Sequence, residues 1–425
     1  MDRILTPVHD GWKPIFKPAL NHLVKALETI DKVDPDTLAP PLNMVFSAFC
    51  IHPDDVKVII IGQDPYPGTY TISGSSNKHG NSNKPIVLPE ACGLSFSTDS
   101  SKTPASLKNI YACLNRLGYP TPSNNNNLRP WVYQGVLMLN MALTTIIGTM
   151  KAHTDIWKPF TNALIRSLTS YRSDKTDPLT FLLWGGDAKS IASSIVGKHH
   201  IIHTWTHPSP MSDNNLPLER KFINCTNFDT INDRSSTPNK VAIDWTIGKP
   251  LRIYTDGSDS TYAIYIPHMI RFSGKTYNNK YELIDDVSSS LPLIRPIITT
   301  DIKPTIPRCE YLAMCYAFHI ALQLRVYPVE LITDHVNICT ILESKSQAST
   351  YNNEDLVTIM KKLYKRLLVC SNNRVTMIHT RSHEKDKSSP HNKCNNVVDK
   401  LAEDAKTRGE IQRLTFSSVR IKLTN

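Results

Sequence analysis

The sequence predicts two α/β units in tandem, a three-layer unit on a parallel sheet followed by a unit on a mixed sheet. Three observations carry this. At 425 residues the chain exceeds what one compact core supports. Over residues 1–248, short and wholly apolar runs alternate with helix-like sequence, the pattern of strands covered on both faces. From Leu251 the order changes to a strand-rich start with helices later, as in a mixed sheet. The boundary falls near Gly248-Lys249-Pro250 with almost no linker, giving units over 1–248 and 249–425.

In chain order, helical periodicity from His22 to Ile30 stops at the Pro40-Pro41 break. Val56 to Gly62 (VKVIIIG) reads as a buried parallel strand ending in a loop. Pro67 to Glu90 is rich in Gly, Ser and Asn, lacks any period and reads as a flexible surface insertion. Gly135 to Asn140 (GVLMLN) and Thr180 to Gly185 (TFLLWG) repeat the buried-strand pattern. A fourth run, His200 to Thr204, leads into His207-Pro208-Ser209-Pro210. In the second half, Leu251–Thr255, Val329–Thr333 and Val375–His379 read as strands. Glu310–Leu324, Leu356–Leu368 and Asn396–Thr407 read as helices, the second with a basic face.

Composition narrows the function classes. With 40% hydrophobic and 20% charged residues the chain is ordinary globular protein, which excludes a disordered tail or fibre. The formal net charge is +10, and residues 249–425 hold 25 Lys/Arg against 18 Asp/Glu, leaving 23 against 20 before them. That excess permits a polyanionic partner without demanding one. Nine cysteines include no C-x-x-C pair, and the nearest two, Cys309 and Cys315, share an apolar helical stretch, so reduced buried thiols are expected. Neither Met1–Asp10 nor any later segment has a long apolar run, so an intracellular protein, nuclear rather than secreted or membrane-bound, is expected.

The first candidate site gathers four segments. Gly62-Gln63-Asp64-Pro65-Tyr66 puts an amide, a carboxylate and an aromatic at the mouth of a buried strand. Taken singly this is a common strand-end turn. Gly93-Leu94-Ser95-Phe96-Ser97 adds a second aromatic, and Leu137-Met138-Leu139-Asn140 ends another buried strand in an amide. His207-Pro208-Ser209-Pro210-Met211-Ser212 sets an imidazole on a proline-framed loop. Alone, Asn140 reads as a helix cap and His207 as a structural histidine. Together they supply stacking rings, an amide to read a polar edge, a carboxylate for water and an imidazole for a leaving oxyanion, the parts needed to excise a flipped base.

In this order the segments resemble family 1 uracil-DNA glycosylase, over about residues 7–248, with Pro41–Phe49 and Ile243-Asp244-Trp245 included. The resemblance implies that Asp64 orients or activates water, that His207 hydrogen-bonds uracil O2, and that Asn140 pairs with the N3–H and O4 edge. It implies that Phe96 stacks on the base, Tyr66 crowds its C5, and Gln63 contacts it. It makes Ser106 and Ser209 phosphate contacts and Met211 the wedge entering the vacated stack. No cofactor is implied, and uracil-containing DNA is the expected partner. The chain departs at Pro67, where a histidine is usual, at Gly186, where a phosphate-contacting serine is usual, at Met211 for leucine, and in the insertion from Thr69 to Pro89.

The second candidate site is acidic. Asp256 follows Ile253-Tyr254-Thr255 at the end of an opening strand, Glu310 opens a helix, Asp334 follows Leu331-Ile332-Thr333, and Asp399 lies on the last helix. Each alone is most simply a solvated carboxylate. Four beside apolar runs are costly unless they share a cation, and hard oxygen ligands imply Mg²⁺ or Mn²⁺. Their order resembles type 1 ribonuclease H over about residues 249–408. That resemblance implies Asp256, Glu310, Asp334 and Asp399 as metal ligands, His383 in Arg381-Ser382-His383 as the mobile catalytic histidine, and an RNA–DNA hybrid as substrate. Lys361, Lys362, Lys365 and Arg366 are candidates for a phosphate backbone, or a solvated helix face. The glycine-rich hairpin usual after the first aspartate is missing, because Asp259 runs straight into Ser260-Thr261-Tyr262.

The leading expectation is therefore a monomeric DNA repair enzyme that hydrolyses the N-glycosidic bond of uracil and carries a metal-dependent endonuclease, with replication proteins as candidate partners. The alternative is a glycosylase-fold clamp or processivity subunit of a DNA polymerase, with a catalytically silent, nucleic-acid-binding second unit.

Overall fold

The computed structural model describes residues 8–72, 85–121, 125–173, 177–233, 243–258, 261–266, 270–275, 305–343, 353–371, 373–380 and 390–408. The chain divides into two compact units and passes from one to the other at Gly248–Lys249.

After short helical turns from Asp10 to Ala19, helix α1 (Leu20–Ile30) buries Leu23, Ala26, Leu27 and Ile30, one stripe at helical spacing. Strand β1 (Val58–Gly62) is buried at every position, which is why its sequence is continuously β-branched. After it come β2 (Thr69–Ile72), β3 (Ile86–Pro89), α2 (Ala105–Arg116) and β4 (Val136–Asn140). They are followed by α3 (Thr154–Tyr171), β5 (Thr180–Trp184), α4 (Gly185–Lys189) and β6 (Ile201–Trp205). The main sheet has the order β4-β1-β5-β6, and its neighbours are all parallel. The chain steps from β1 to β4 through α2, then back past β1 to β5 through α3. Right-handed crossovers in opposite directions put α2 and α3 on opposite faces, which gives three layers. On α3, Trp157 and Phe160 join an aromatic cluster with Phe16 and Phe46. The loops after β1, β4, β5 and β6 all leave the same edge of the sheet, where an open parallel sheet binds ligands.

The insertion departs from the unstructured reading. Its flanks, β2 and β3, pair antiparallel from Thr69↔Pro89 to Ile72↔Ile86. Tyr70, Ile72, Ile86 and Val87 favour strand, but four residues a side are too few to show a period among the surrounding Gly, Ser and Asn. Residues 73–84 lie outside the described residues.

In the first unit the one-turn helix α5 (Pro210–Asp213) follows β6. The second unit begins with β7 (Leu251–Ser258), β8 (Thr261–Ile266) and β9 (Ile270–Lys275). Then follow α6 (Ile306–Leu324), β10 (Val329–Thr333), α7 (Val336–Glu343), α8 (Glu354–Cys370), β11 (Val375–His379) and α9 (Pro390–Arg408). The five strands lie in the order β9-β8-β7-β10-β11. β7, β8 and β9 form an antiparallel meander, while β10 and β11 run parallel to β7, so the sheet is mixed. The hairpin expected to be missing forms without its glycines: Ser258 pairs with Thr261, and the Tyr262–Ile266 run supplies the strand propensity. Helix α6 is apolar almost all round because it is covered on both sides, by β7 and by α8, with Cys315 Sγ 3.8 Å from the Leu356 carbonyl. None of the nine cysteines is in a disulfide, and no described helix is long and apolar enough to cross a membrane.

Candidate active sites

The first site is assembled at the C-terminal ends of the parallel strands. Gly62 ends β1 directly opposite Asn140, the last residue of β4. Any Cβ at position 62 would collide with Asn140 Oδ1 and stand 2.8 Å from Ser95 Cβ, so only glycine lets the amide lie against the strand end. Asn140 is buried, and its neighbours Met141 and Ala142 hang from the Gly62 and Gln63 carbonyls.

Two residues beyond β1, the Asp64 carboxylate is held from both sides. Gln63 Nε2 donates to Oδ1 at 2.7 Å and the Lys151 backbone N–H donates to Oδ2 at 2.6 Å. Tyr66 donates its hydroxyl to the Phe96 carbonyl at 3.1 Å, tying the two aromatic motifs together. Phe96 has φ +61°, a left-handed conformation that is strained for a bulky residue. Its ring sits 5.6 Å from that of Trp184 and 6.0 Å from that of His207.

His207 follows β6, and its Nδ1 accepts the Ser209 N–H at 3.1 Å. That bond leaves the proton of a neutral imidazole on Nε2. Burial is the largest influence and pulls the His207 pKa below the ordinary histidine value; Asp187 and Asp64 oppose it, and Lys151 adds to it. The ring is therefore neutral at pH 7 and offers a donor without a charge. Gly185, at φ +84°, lets the end of β5 approach this wall, since a Cβ there would stand 2.8 Å from His207 Cβ.

The expected DNA contacts lie on two linked elements. Ser106 is on the first turn of α2, and Asn109 of the same helix donates to the Pro208 carbonyl at 2.8 Å. Ser209 Oγ is 2.9 Å from Ser212 Oγ, and Met211 stands out into solvent at 84% exposure. The structure thus gathers Gln63, Asp64, Tyr66, Phe96, Asn140 and His207 at one strand edge, with Ser106, Ser209 and Met211 on adjoining segments.

In the second unit, carboxylate oxygens of Asp256, Glu310 and Asp334 lie within 4.8 Å of one another. Gly257 makes this possible: a Cβ there would stand 2.7 Å from the Cys309 carbonyl carbon and collide with the Glu310 backbone N. Helix α6 therefore lies tight on β7. Two placements correct the sequence reading. Asp256 is within β7, opposite Ala263, because the strand continues to Ser258. Glu310 sits in the second turn of α6, because the helix starts at Ile306 under the Thr305 cap. Asp334 directly follows β10.

Glu310 is buried, and its Oε2 has no hydrogen-bond partner among the described residues. Burial pushes its pKa up to about 9, helped by the charges of Asp256, Asp334 and Asp399 and opposed by the Gly257 N–H. Asp399 on α9 thus acts on the cluster electrostatically, although it is not among the three carboxylates within 4.8 Å. Helix α9 is seated by Val398 and Ala402 against Tyr254, Ala263 and Ile332, and by a 2.8 Å bond from Thr261 Oγ1 to the Ala402 carbonyl. His383 lies outside the described residues. An orphaned carboxylate oxygen facing two more carboxylates fits a hard divalent cation.

The chain is 35% identical over 240 residues to a uracil-DNA glycosylase of Dictyostelium discoideum, matching 55% of this chain and 60% of that protein. It is 32% identical to the uracil-DNA glycosylase of Exiguobacterium sibiricum, over 56% of this chain and all of that protein. The chain belongs to the uracil-DNA glycosylase family. The match spans about half of its length. No family model matches the chain. A solved structure of ribonuclease H1 from Halobacterium salinarum aligns with 37% of this chain and 98% of its own, at 15% identity and a TM-score of 0.24.

At the first site the structure adds three residues that the motifs did not single out. Trp184 backs the Phe96 ring. Lys151 holds Asp64 through its N–H, and its Nζ pairs with Asp187 at 2.9 Å. Trp184 was readable as the end of a buried run. Lys151 and Asp187 carry no local signature, because they meet only through the fold.

Proposed function

We propose that the first unit hydrolyses the N-glycosidic bond of uracil in DNA. The carrying observation is the pairing of a fixed carboxylate, Asp64, with a half-buried, neutral His207 beside the Phe96 ring. As the bond between the sugar C1′ and uracil N1 breaks, electrons pass to the base and negative charge grows on O2. The His207 Nε2–H stabilises that charge without itself being charged. Asp64 steadies the cationic sugar and takes the proton of the water whose oxygen bonds to C1′. Phe96 stacks on the base, Asn140 reads its N3–H and O4 edge, Tyr66 crowds C5 and Gln63 contacts the base. Ser106 and Ser209 contact phosphates, and the exposed Met211 fills the space the base leaves.

For the second unit the proposal is cleavage of RNA in RNA–DNA hybrids. Asp256, Glu310 and Asp334, with Asp399 beside them, would hold Mg²⁺ or Mn²⁺, which supplies water activation and charge neutralisation at a phosphate. His383 would assist product release. On α8, Lys362, Lys365 and Arg366 are exposed opposite the buried Leu356, Met360 and Leu367, a face suited to a phosphate backbone.

One assay tests both halves: the full chain on uracil-containing DNA and on an RNA–DNA hybrid, with Mg²⁺, with Mn²⁺ and with EDTA. Uracil release persists in EDTA, and hybrid cleavage disappears. Absence of uracil release would overturn the first reading. A hybrid left uncut with either metal would make the second unit a binding module.

Gly186 offers a gain-of-function check. A Cβ there meets nothing within 4 Å, so a side chain fits where the family usually places a phosphate-contacting serine. Gly186→Ser lowers KM for uracil-containing DNA roughly severalfold, in line with one added hydrogen bond. An unchanged or raised KM would mean that the phosphate runs elsewhere.

A further inference from the structure

Resting on the glycosylase reading, we propose that Lys151 and Asp187 form an ion pair across the catalytic edge that positions Asp64 and balances the charge around His207. Both are positioning residues, acting through Asp64 and His207.

The geometry supports more than a casual surface pair. Exposed ion pairs usually contribute little, and both of these side chains are half-exposed. Lys151, however, has φ +60°, a left-handed backbone that costs energy for any residue with a Cβ. In that conformation its N–H reaches Asp64 Oδ2 while its side chain reaches across to α4, where Nζ meets Asp187 Oδ2 at 2.9 Å. The surrounding loop is pinned on the near side: Gly148 donates to the Pro67 carbonyl, and Thr145 Oγ1 donates to the Thr149 carbonyl. The ion pair supplies an anchor on the far side. One residue thereby links the loop before α3, the carboxylate after β1 and the first turn of α4.

The electrostatic consequence follows from the same arrangement. The charged groups acting on His207 are Asp64 after β1, Lys151 before α3 and Asp187 on α4. Asp187 favours the imidazolium and Lys151 disfavours it, so the two partners oppose each other at the ring, Asp187 the more strongly. Removing either partner leaves the other uncompensated. Lys151→Met leaves an anion, so His207 protonates at higher pH. Asp187→Asn leaves a cation, so His207 protonates at lower pH. A purely structural role for the pair would not produce shifts of opposite sign.

The test follows the His207 ring by NMR titration, together with kcat and KM for uracil release, in the full chain. The expected titration shifts are about half a unit upward for Lys151→Met and downward for Asp187→Asn. The double variant falls between the two single variants. Both single variants lose roughly tenfold in kcat with KM little changed, because Asp64 is held less firmly. Lys151→Arg retains the wild-type values. Shifts of the same sign, or no shift in either variant, overturn the ion-pair inference while wild-type excision leaves the glycosylase reading intact. A wild type that releases no uracil overturns that reading instead.

Discussion

Asp64→Asn and His207→Asn each slow uracil excision by about 10²–10⁴-fold, while the fold and hybrid cleavage are kept. The structure explains why the loss is chemical. An asparagine at 64 can keep its oxygen toward the Lys151 N–H and turn its NH₂ toward Gln63, whose amide then presents oxygen in place of Nε2. The loop geometry survives, but the group that takes a proton and faces a cationic sugar is gone. At 207 the substitution removes the neutral donor from the wall beside Phe96. Rates on uracil-containing DNA with melting temperatures alongside check this. Excision within tenfold of wild type in either variant would remove that residue from the chemistry.

Asp256→Asn abolishes hybrid cleavage and, in EDTA at neutral pH, raises the melting temperature. Carboxylates crowded within 4.8 Å repel one another, and the buried Glu310 carries much of that penalty. Its pKa rises from 4.5 to about 9 on folding. A carboxyl raised in this way favours folding fully below 4.5 and loses that contribution progressively as pH climbs toward 9. Without metal, the chain therefore melts at falling temperature over that window, and an amide at 256 lessens the fall. Mg²⁺ or Mn²⁺ restores stability to the wild type, because binding to the folded state alone shifts unfolding by mass action. A metal-free melting temperature flat in pH, together with undiminished cutting by Asp256→Asn, would show that other residues form the cluster.

The parallel strands were legible because burial on both faces leaves no polar position to blur the run, as in Val58–Gly62 and Val136–Asn140. The strand-end placement of the candidate residues was legible because a parallel sheet gathers its strand ends at one edge, which is where Asp64, Asn140 and His207 stand. The β2–β3 ladder was not, since four-residue strands among Gly, Ser and Asn show no alternation. The start of α6 was misplaced although Thr305 and Pro307 are ordinary start signals; the acidic pattern drew attention to Glu310 instead. Lys151 and Asp187 were invisible for a deeper reason. They lie 36 positions apart, one on the loop before α3 and one on α4, and no local rule couples them.

The glycines around the glycosylase site set limits on how this protein can drift. Gly62, Gly93 and Gly185 touch no substrate in the proposed mechanism, yet a Cβ at each would strike Asn140, the Met44 carbonyl or His207. Every single-codon neighbour of glycine carries a Cβ or ends the chain, so no small step leads away from these positions. The sites closed to change thus extend beyond the residues that act on the base. A lineage that lost the activity would reveal it early, through side chains appearing at these three places while the catalytic motifs were still intact.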